Sequence, residues 1–301
     1  MNFPTGTIPI SNRILFSKSK LAWAAITTGK PNKAALKRHS GFSMHEVKFR
    51  WNMFLSALNF SRSDQQLESS VLFNDMDPSE KGGINYFLGM GFAKLAAQEL
   101  LDVPWLAHYS WYKKTGAIAW SPSRSTADLV GQQAGTNNWI VLESKGRNSG
   151  HYADALEKAV KQAKQNYFVN GQPCTLHIGS VLYRYGLGKT LKMILEDPLP
   201  TDDAPTLKLE ADREFWREYY STPFDLLNQQ NESRDRFKIE MGFEMKIAEP
   251  AERLFRNLDE GAKPFKASLE ELRLWTRGRR ERAQSEPLDN WNGDGIIIQA
   301  S

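Results

Sequence analysis

Asp128, Glu143 and Lys145 are the residues whose types and spacing suit a reaction. Two carboxylates held side by side repel each other, and a divalent cation relieves that repulsion. Mg²⁺ takes oxygen ligands, usually one or two carboxylates completed by waters and a substrate phosphate. Asp128, Glu143 and the backbone carbonyl of Ser144 make such a set, with Mn²⁺ as a substitute for Mg²⁺. A bound metal lowers the pKa of a water and neutralises charge on a phosphate. Lys145 beside it would orient the attacking water or stabilise the transition state, with in-line attack on phosphorus.

The elements around these residues give the triplet its meaning. Trp139-Ile140-Val141-Leu142 is an apolar run with strong strand propensity that leads directly into Glu143-Ser144-Lys145-Gly146. Side chains alternate across a strand, so Trp139, Val141, Glu143 and Lys145 share one face, and Ile140, Leu142 and Ser144 the other. Upstream, 126–130 reads as a short strand and 131–138 as a polar loop, so a hairpin would set Asp128 beside Glu143. Downstream, Ala155, Leu156, Ala159, Val160, Ala163 and Tyr167 have helical spacing. Gln162 lies on the same face as Ala155 and Ala159. Arg147, in the loop after the lysine, and Arg124, before Asp128, are candidate phosphate contacts.

Further out, Asp77-Pro78-Ser79-Glu80 has the pattern of a capped helix start. The Gly82-Gly83 pair loosens or restarts that helix, which runs over 84–101 until Pro104 stops it. Residues 105–112 and 117–120 read as a hairpin, 173–183 and 190–195 as two strands, 207–220, 224–230 and 267–275 as helices, and 295–299 as a last strand. In the first 75 residues, 8–16 suits a strand and 49–58 a helix. The chain therefore divides into a basic N-terminal segment (1–75), an α/β core (76–200) and a mostly helical C-terminal region packed on it (201–301).

Composition narrows the function classes. The chain has 301 residues, 41% hydrophobic and 25% charged, as in ordinary globular proteins. No apolar run approaches the roughly 18 residues that span a bilayer. Cys174 is the only cysteine, which excludes an intramolecular disulfide and a cysteine zinc site. The N-terminus lacks a signal-peptide pattern, so a cytoplasmic protein is expected. Ten Lys/Arg against three acids leave residues 1–70 at +7, and the remainder at −3 from the total of +4. A basic segment on a near-neutral body suits a polyanion.

Asp128…Glu143-Ser144-Lys145, on a hairpin followed by a helix, resembles the PD-(D/E)XK superfamily of restriction-endonuclease-like nucleases over roughly residues 80–200. The resemblance implies an α-β-β-β-α-β mixed-sheet core and metal-dependent hydrolysis of phosphodiester bonds. DNA is favoured over RNA as the partner, and bacterial antiviral defence or repair is the context such nucleases suggest. Ala127 stands at the motif's proline position. Many members carry a further acid on the helix before the sheet, for which Glu80, Glu99 and Asn85 are the candidates. A subgroup has Gln-x-x-x-Tyr on the following helix; Gln162 and Tyr167 are one residue further apart.

Other signals read as structure. Glu46-Val47-Lys48 and Glu244-Met245-Lys246 repeat the triplet without an apolar strand and an upstream hairpin acid. Tyr185-Gly186-Leu187-Gly188-Lys189-Thr190 lacks the first glycine of a phosphate loop, since Tyr183 stands there, and reads as a turn between strands. His151 suits a surface loop, and the arginines at 273, 277, 279, 280 and 282 a solvated helix end. The alternatives to an enzyme are a nuclease-fold nucleic-acid-binding protein without turnover, and an interaction module. A homodimer or a partner protein would meet the C-terminal region.

Overall fold

The computed structural model describes residues 17–28, 42–60, 67–109, 126–186, 189–200, 206–209, 213–285 and 292–300. Arg124 and the strands expected over 8–16 and 117–120 lie outside the described residues.

A long helix and a three-strand meander frame the site. After α1 (Lys18–Thr27), α2 (Phe42–Ala57), the short pair β1 (Leu58–Asn59) and β2 (Glu68–Ser69), and α3 (Val71–Asp75), the chain enters α4 (Pro78–Leu101). Asp77 caps α4 by accepting from Ser79 N–H at 2.6 Å and Glu80 N–H at 3.1 Å, and Glu80 accepts from Asp77 N–H at 3.2 Å. This is the reciprocal box read from the sequence. Gly82 and Gly83 neither loosen nor restart the helix, which passes through them. It ends at Asp102, which adopts a left-handed conformation with φ 59°.

Strands β3 (Trp105–His108), β4 (Leu129–Gln132) and β5 (Trp139–Gly146) follow as an antiparallel meander. The partner of β3 is β4. Helix α5 (Ala153–Ala163) then crosses over, so that β8 (Leu176–Tyr185) runs parallel to β5, as a parallel pair requires. The hairpin β6 (Asn166–Val169)–β7 (Gln172–Pro173) precedes β8, and β9 (Thr190–Glu196) returns antiparallel to it. The complete order β1-β2-β9-β8-β5-β4-β3 is a mixed seven-stranded sheet. Between β8 and β9, Gly186 at φ 72° and Lys189 at φ 49° are in turns, and the Lys189 N–H donates to the Gly186 carbonyl at 3.2 Å.

Two sequence expectations are corrected here. Tyr167 does not continue helix α5, which stops at Ala163; it lies in β6. The expected helix over 207–220 begins only at Arg213, because Thr206–Leu209 forms β10, parallel to β6. From there α6 (Arg213–Glu232) is continuous through Pro223, and α7 (Arg234–Met241), β11 (Phe243–Ile247), α8 (Glu249–Arg256), α9 (Ala262–Ser285) and β12 (Ile296–Ala300) complete the chain.

Both sheet faces are covered. Leu106, Leu129, Ile140, Leu142 and Ile178 pack under Met90, Ala93, Ala97 and Leu101 of α4. On the other face Trp105 meets Trp216 of α6 edge to face at 5.1 Å and Trp139 meets Phe215 of α6 at 5.0 Å. Further along that face, α5 covers Val181 and Tyr183.

A buried polar cluster fastens the C-terminus to this core. Lys94 donates to the Pro104 carbonyl and to the Tyr219 hydroxyl, both at 2.6 Å. Tyr219 donates to Asp294 Oδ2 at 2.5 Å, Trp23 Nε1 donates to the same oxygen at 2.8 Å, and Ile296 N–H donates to Oδ1 at 3.0 Å. Burial pushes the Lys94 ammonium down to about 7 despite the partly offsetting charge of Asp294. Two C-terminal arginines act similarly: Arg273 donates to Gln132 Oε1 at 2.8 Å, and Arg280 pairs with Asp102. These two dock α9 on the core, whereas Arg277 pairs with Glu270 of its own helix and Arg282 is exposed as expected of a solvated end. Among the described residues, no helix is long and apolar enough to cross a membrane.

Candidate active site at the end of strand β5

The β4–β5 register decides which side chains meet. Leu129 pairs with Leu142 and Val130 with Val141, so one step further Asp128 stands opposite Glu143. Both lie on the face of Val130 and Val141, following the alternation of the strand. The Asp128 carbonyl accepts from Tyr109 N–H at 2.7 Å, which holds its backbone in the sheet. Its Oδ2 accepts from Ser144 N–H at 3.1 Å.

The two carboxyl groups form one coupled unit. Burial pushes Glu143 up to about 8, the charge of Asp128 adds to the rise, and Lys145 partly offsets it. Asp128 is also raised, by burial, against the opposing effects of the Ser144 N–H and Lys145. At neutral pH the pair therefore retains a proton that two isolated carboxylates would have lost. The Lys145 ammonium bonds Glu143 Oε1, while Glu143 Oε2 is buried with no hydrogen-bond partner. The Lys145 side chain is 27% exposed and that of Glu143 1%, so the site meets solvent at its lysine.

The parallel β5–β8 pair and α4 shape the rest. Gly179 of β8 stands opposite Glu143, and a Cβ there would come within 2.7 Å of the Val160 nitrogen of α5. Gly146 lies so close to the Asn85 carbonyl that any Cβ would overlap it. These close approaches bring both helices onto the strand at the acids. Ser144 Oγ points to the opposite face, towards Gly89 of α4. What it contributes at the acids is its backbone N–H, which bonds Asp128.

The other expected residues divide. Arg147 follows the strand end: its N–H donates to the Leu182 carbonyl at 2.8 Å, and its own carbonyl accepts from Arg184 at 3.1 Å. Gln162 is half-buried on α5, and its carbonyl accepts from the Tyr167 hydroxyl at 3.1 Å. His151 is exposed before α5. Neither acid of α4 reaches the pair. Glu80 caps its own helix, and Glu99 bonds Lys20 at 2.9 Å. Asn85 is buried at the strand end but accepts from Arg184 at 2.5 Å.

Two contributors, Tyr86 and Arg184, were not found from sequence, and Tyr167 acts from a strand and not from the expected helix. Tyr86, on α4, is within electrostatic reach of the pair: its hydroxyl is raised by burial and by the charge of Asp128 and Glu143, with Arg50 opposing. It lies 3.2 Å from His108 Nε2. Tyr167 accepts from Ala127 N–H at 2.7 Å and thereby fixes the residue before Asp128. Arg184 donates to Ser69 Oγ at 2.5 Å, Asn85 Oδ1 and the Arg147 carbonyl, tying β2, α4 and the loop after β5 together. Tyr86 falls outside the apolar stripe of its helix, and no spacing rule marks Arg184.

The donor set is oxygen only. Among the described residues no group of three His, Cys, Asp or Glu side chains could hold a metal. Two carboxylates, one with an orphaned buried oxygen, fit a hard cation that keeps several waters, as Mg²⁺ does, and do not fit a zinc site. No family profile, no curated protein and no solved structure matches this chain.

Proposed function

We propose that this protein is a Mg²⁺-dependent nuclease that hydrolyses the phosphodiester backbone of a nucleic acid, with Asp128, Glu143 and Lys145 as its catalytic residues. The observation that carries the proposal is the pairing of the buried Glu143 with the half-buried Asp128 across the β4–β5 hairpin, with Lys145 at its solvent side. Such a pair is costly to bury unless a cation or a reaction uses it. The order α4-β3-β4-β5-α5-β8, with β8 parallel to β5, supports the restriction-endonuclease-like reading of the core.

In this reading Asp128 and Glu143 hold the cation, with the Ser144 carbonyl as a further oxygen. A bound Mg²⁺ supplies an acidified water and charge neutralisation on the phosphate. Loading the site releases the proton the pair retains near neutrality. Lys145 stands where the site opens, close enough to Glu143 to hold a water for attack on phosphorus. That attack breaks the P–O bond opposite the incoming oxygen. Arg147 extends from the same strand end toward a substrate phosphate, and Gln162 and Arg124 are proposed as further substrate contacts. Bacterial defence or repair is the context proposed for this activity.

The test is cleavage of plasmid, linear duplex and single-stranded substrates with Mg²⁺, with Mn²⁺ and with EDTA. The expected result is cleavage that EDTA abolishes. Asp128→Asn, Glu143→Gln and Lys145→Ala should each lose at least about a hundredfold in rate and keep the native melting transition. Full activity in Asp128→Asn or Lys145→Ala would exclude the assignment.

A further inference from the structure

Exposed aromatic rings lead from the acid pair onto the surface. Tyr86 is 45% and Phe49 59% exposed, and Phe87 lies half-buried between them. Tyr86 and Phe87 meet edge to face at 5.2 Å, and Phe87 and Phe49 at 6.1 Å. The inner end of this row is the tyrosine that feels the charge of Asp128 and Glu143. The outer end lies on α2, where helical spacing aligns exposed His45, Phe49 and Asn52 on one face. The Arg50 guanidinium, buried and paired with Glu46 at 2.7 Å, lies 5.3 Å from the Phe87 ring centre and backs that ring from the core side.

Burying large apolar rings is favourable, so a contiguous exposed set has to be accounted for. Here the rings alternate with exposed hydrogen-bonding side chains: His45, Asn52 and the Tyr86 hydroxyl. That mixture suits nucleobases, whose faces stack on aromatic rings while the backbone carries negative charge. A duplex hides its base faces within its own stack, and only an unpaired strand can offer them.

We propose that Phe49, Phe87 and Tyr86 form a stacking platform for unpaired bases, so that the segment delivered to Asp128 and Glu143 is single-stranded nucleic acid. This rests on the nuclease reading for its destination, although the binding surface can be measured without turnover.

The experiment is fluorescence anisotropy in EDTA, with labelled single-stranded DNA, single-stranded RNA and blunt duplex of one mixed sequence. The intact chain should bind a single strand at least about tenfold more tightly than the duplex. Phe49→Ala should lose about tenfold on single strands, in line with one stacked base, and change duplex binding little. Phe49→Trp should retain the affinity. Phe49 is exposed, so the alanine variant should melt with the parent. Equal affinity for single strand and duplex would overturn the proposal, as would an unchanged Phe49→Ala. So would a change from dimer to monomer in Phe49→Ala with unaltered nucleic-acid binding, which would make the rings a self-contact. Single-strand binding that depends on Phe49, without cleavage in Mg²⁺, would uphold this surface and remove the nuclease reading.

Discussion

Helix α4 serves two buried ionic clusters that differ in one respect. Lys94, at its middle, joins Tyr219, Asp294 and Trp23 in a network where both oxygens of the acid accept hydrogen bonds. At its N-terminal half, Tyr86 lies within electrostatic reach of Asp128 and Glu143, where Glu143 Oε2 is buried without a partner. A saturated network holds elements together, because removing any member strands the others. An unsaturated one keeps a cost, here added to by the repulsion between two neighbouring carboxyl groups.

The largest expected effect separates the two. Asp294→Ala strands Lys94, Tyr219 and the Trp23 indole, and should cost about 3–5 kcal/mol in denaturant unfolding. Glu143→Gln removes a repelling carboxylate and should leave stability unchanged or raise it. The sign follows from the raised carboxyl. Between its ordinary 4.5 and about 8 the folded state holds a proton that the unfolded state has lost, so stability falls as pH rises through that window. Glu143→Gln should flatten this slope. If Glu143→Gln destabilises more than Asp294→Ala, the acid pair is structural and the contrast fails.

A smaller effect comes from the cation itself. Mg²⁺ at a hundredfold excess over its dissociation constant should stabilise the fold by about 2.7 kcal/mol. The gain should be larger at pH 8.5 than at pH 6.5, because the pair must lose its proton to receive the ion. Glu143→Gln should lose most of this gain, whereas Lys94→Met should keep it. Equal gains in all three proteins would place the ion elsewhere.

How much of this was legible in the sequence follows from range. Local signals carried α4, since its capping box and proline act within one turn. They also carried β5, whose apolar run and period of two set Glu143 and Lys145 on one face. The Asp128–Glu143 pairing was legible because a single hairpin joins them. Tyr167 was misplaced because helical spacing persists past Ala163, while pairing with β10, some forty residues later, turns 166–169 into a strand. Tyr86 and Arg184 were not legible at all. Their roles depend on α4 crossing β5 at Gly146 and on β8 lying parallel to β5, and neither contact leaves a local pattern. Arg273 looked solvated for the same reason: its partner, Gln132, is 141 residues away.

The smallest effect tests how Asp128 is held. The Tyr167 hydroxyl accepts from Ala127 N–H and donates to the Gln162 carbonyl, joining the strand that carries the acid to the end of α5. Its ring also packs edge to face on Tyr109 at 5.8 Å. Tyr167→Phe keeps the ring and leaves one buried N–H unpaired, a cost of about 1–2 kcal/mol. Loss of stability alone would say only that the hydroxyl is structural. If it positions Asp128, the Mg²⁺ concentration for half-maximal cleavage should rise severalfold, while the rate at saturating Mg²⁺ changes less. The ion can then still bind, but to an acid no longer fixed in place. The contrasting variant is Tyr219→Phe, which removes a hydroxyl from the saturated cluster and should lower stability without moving the Mg²⁺ dependence. If the two variants shift it equally, the clusters are not independent, and α4 transmits the change from one to the other.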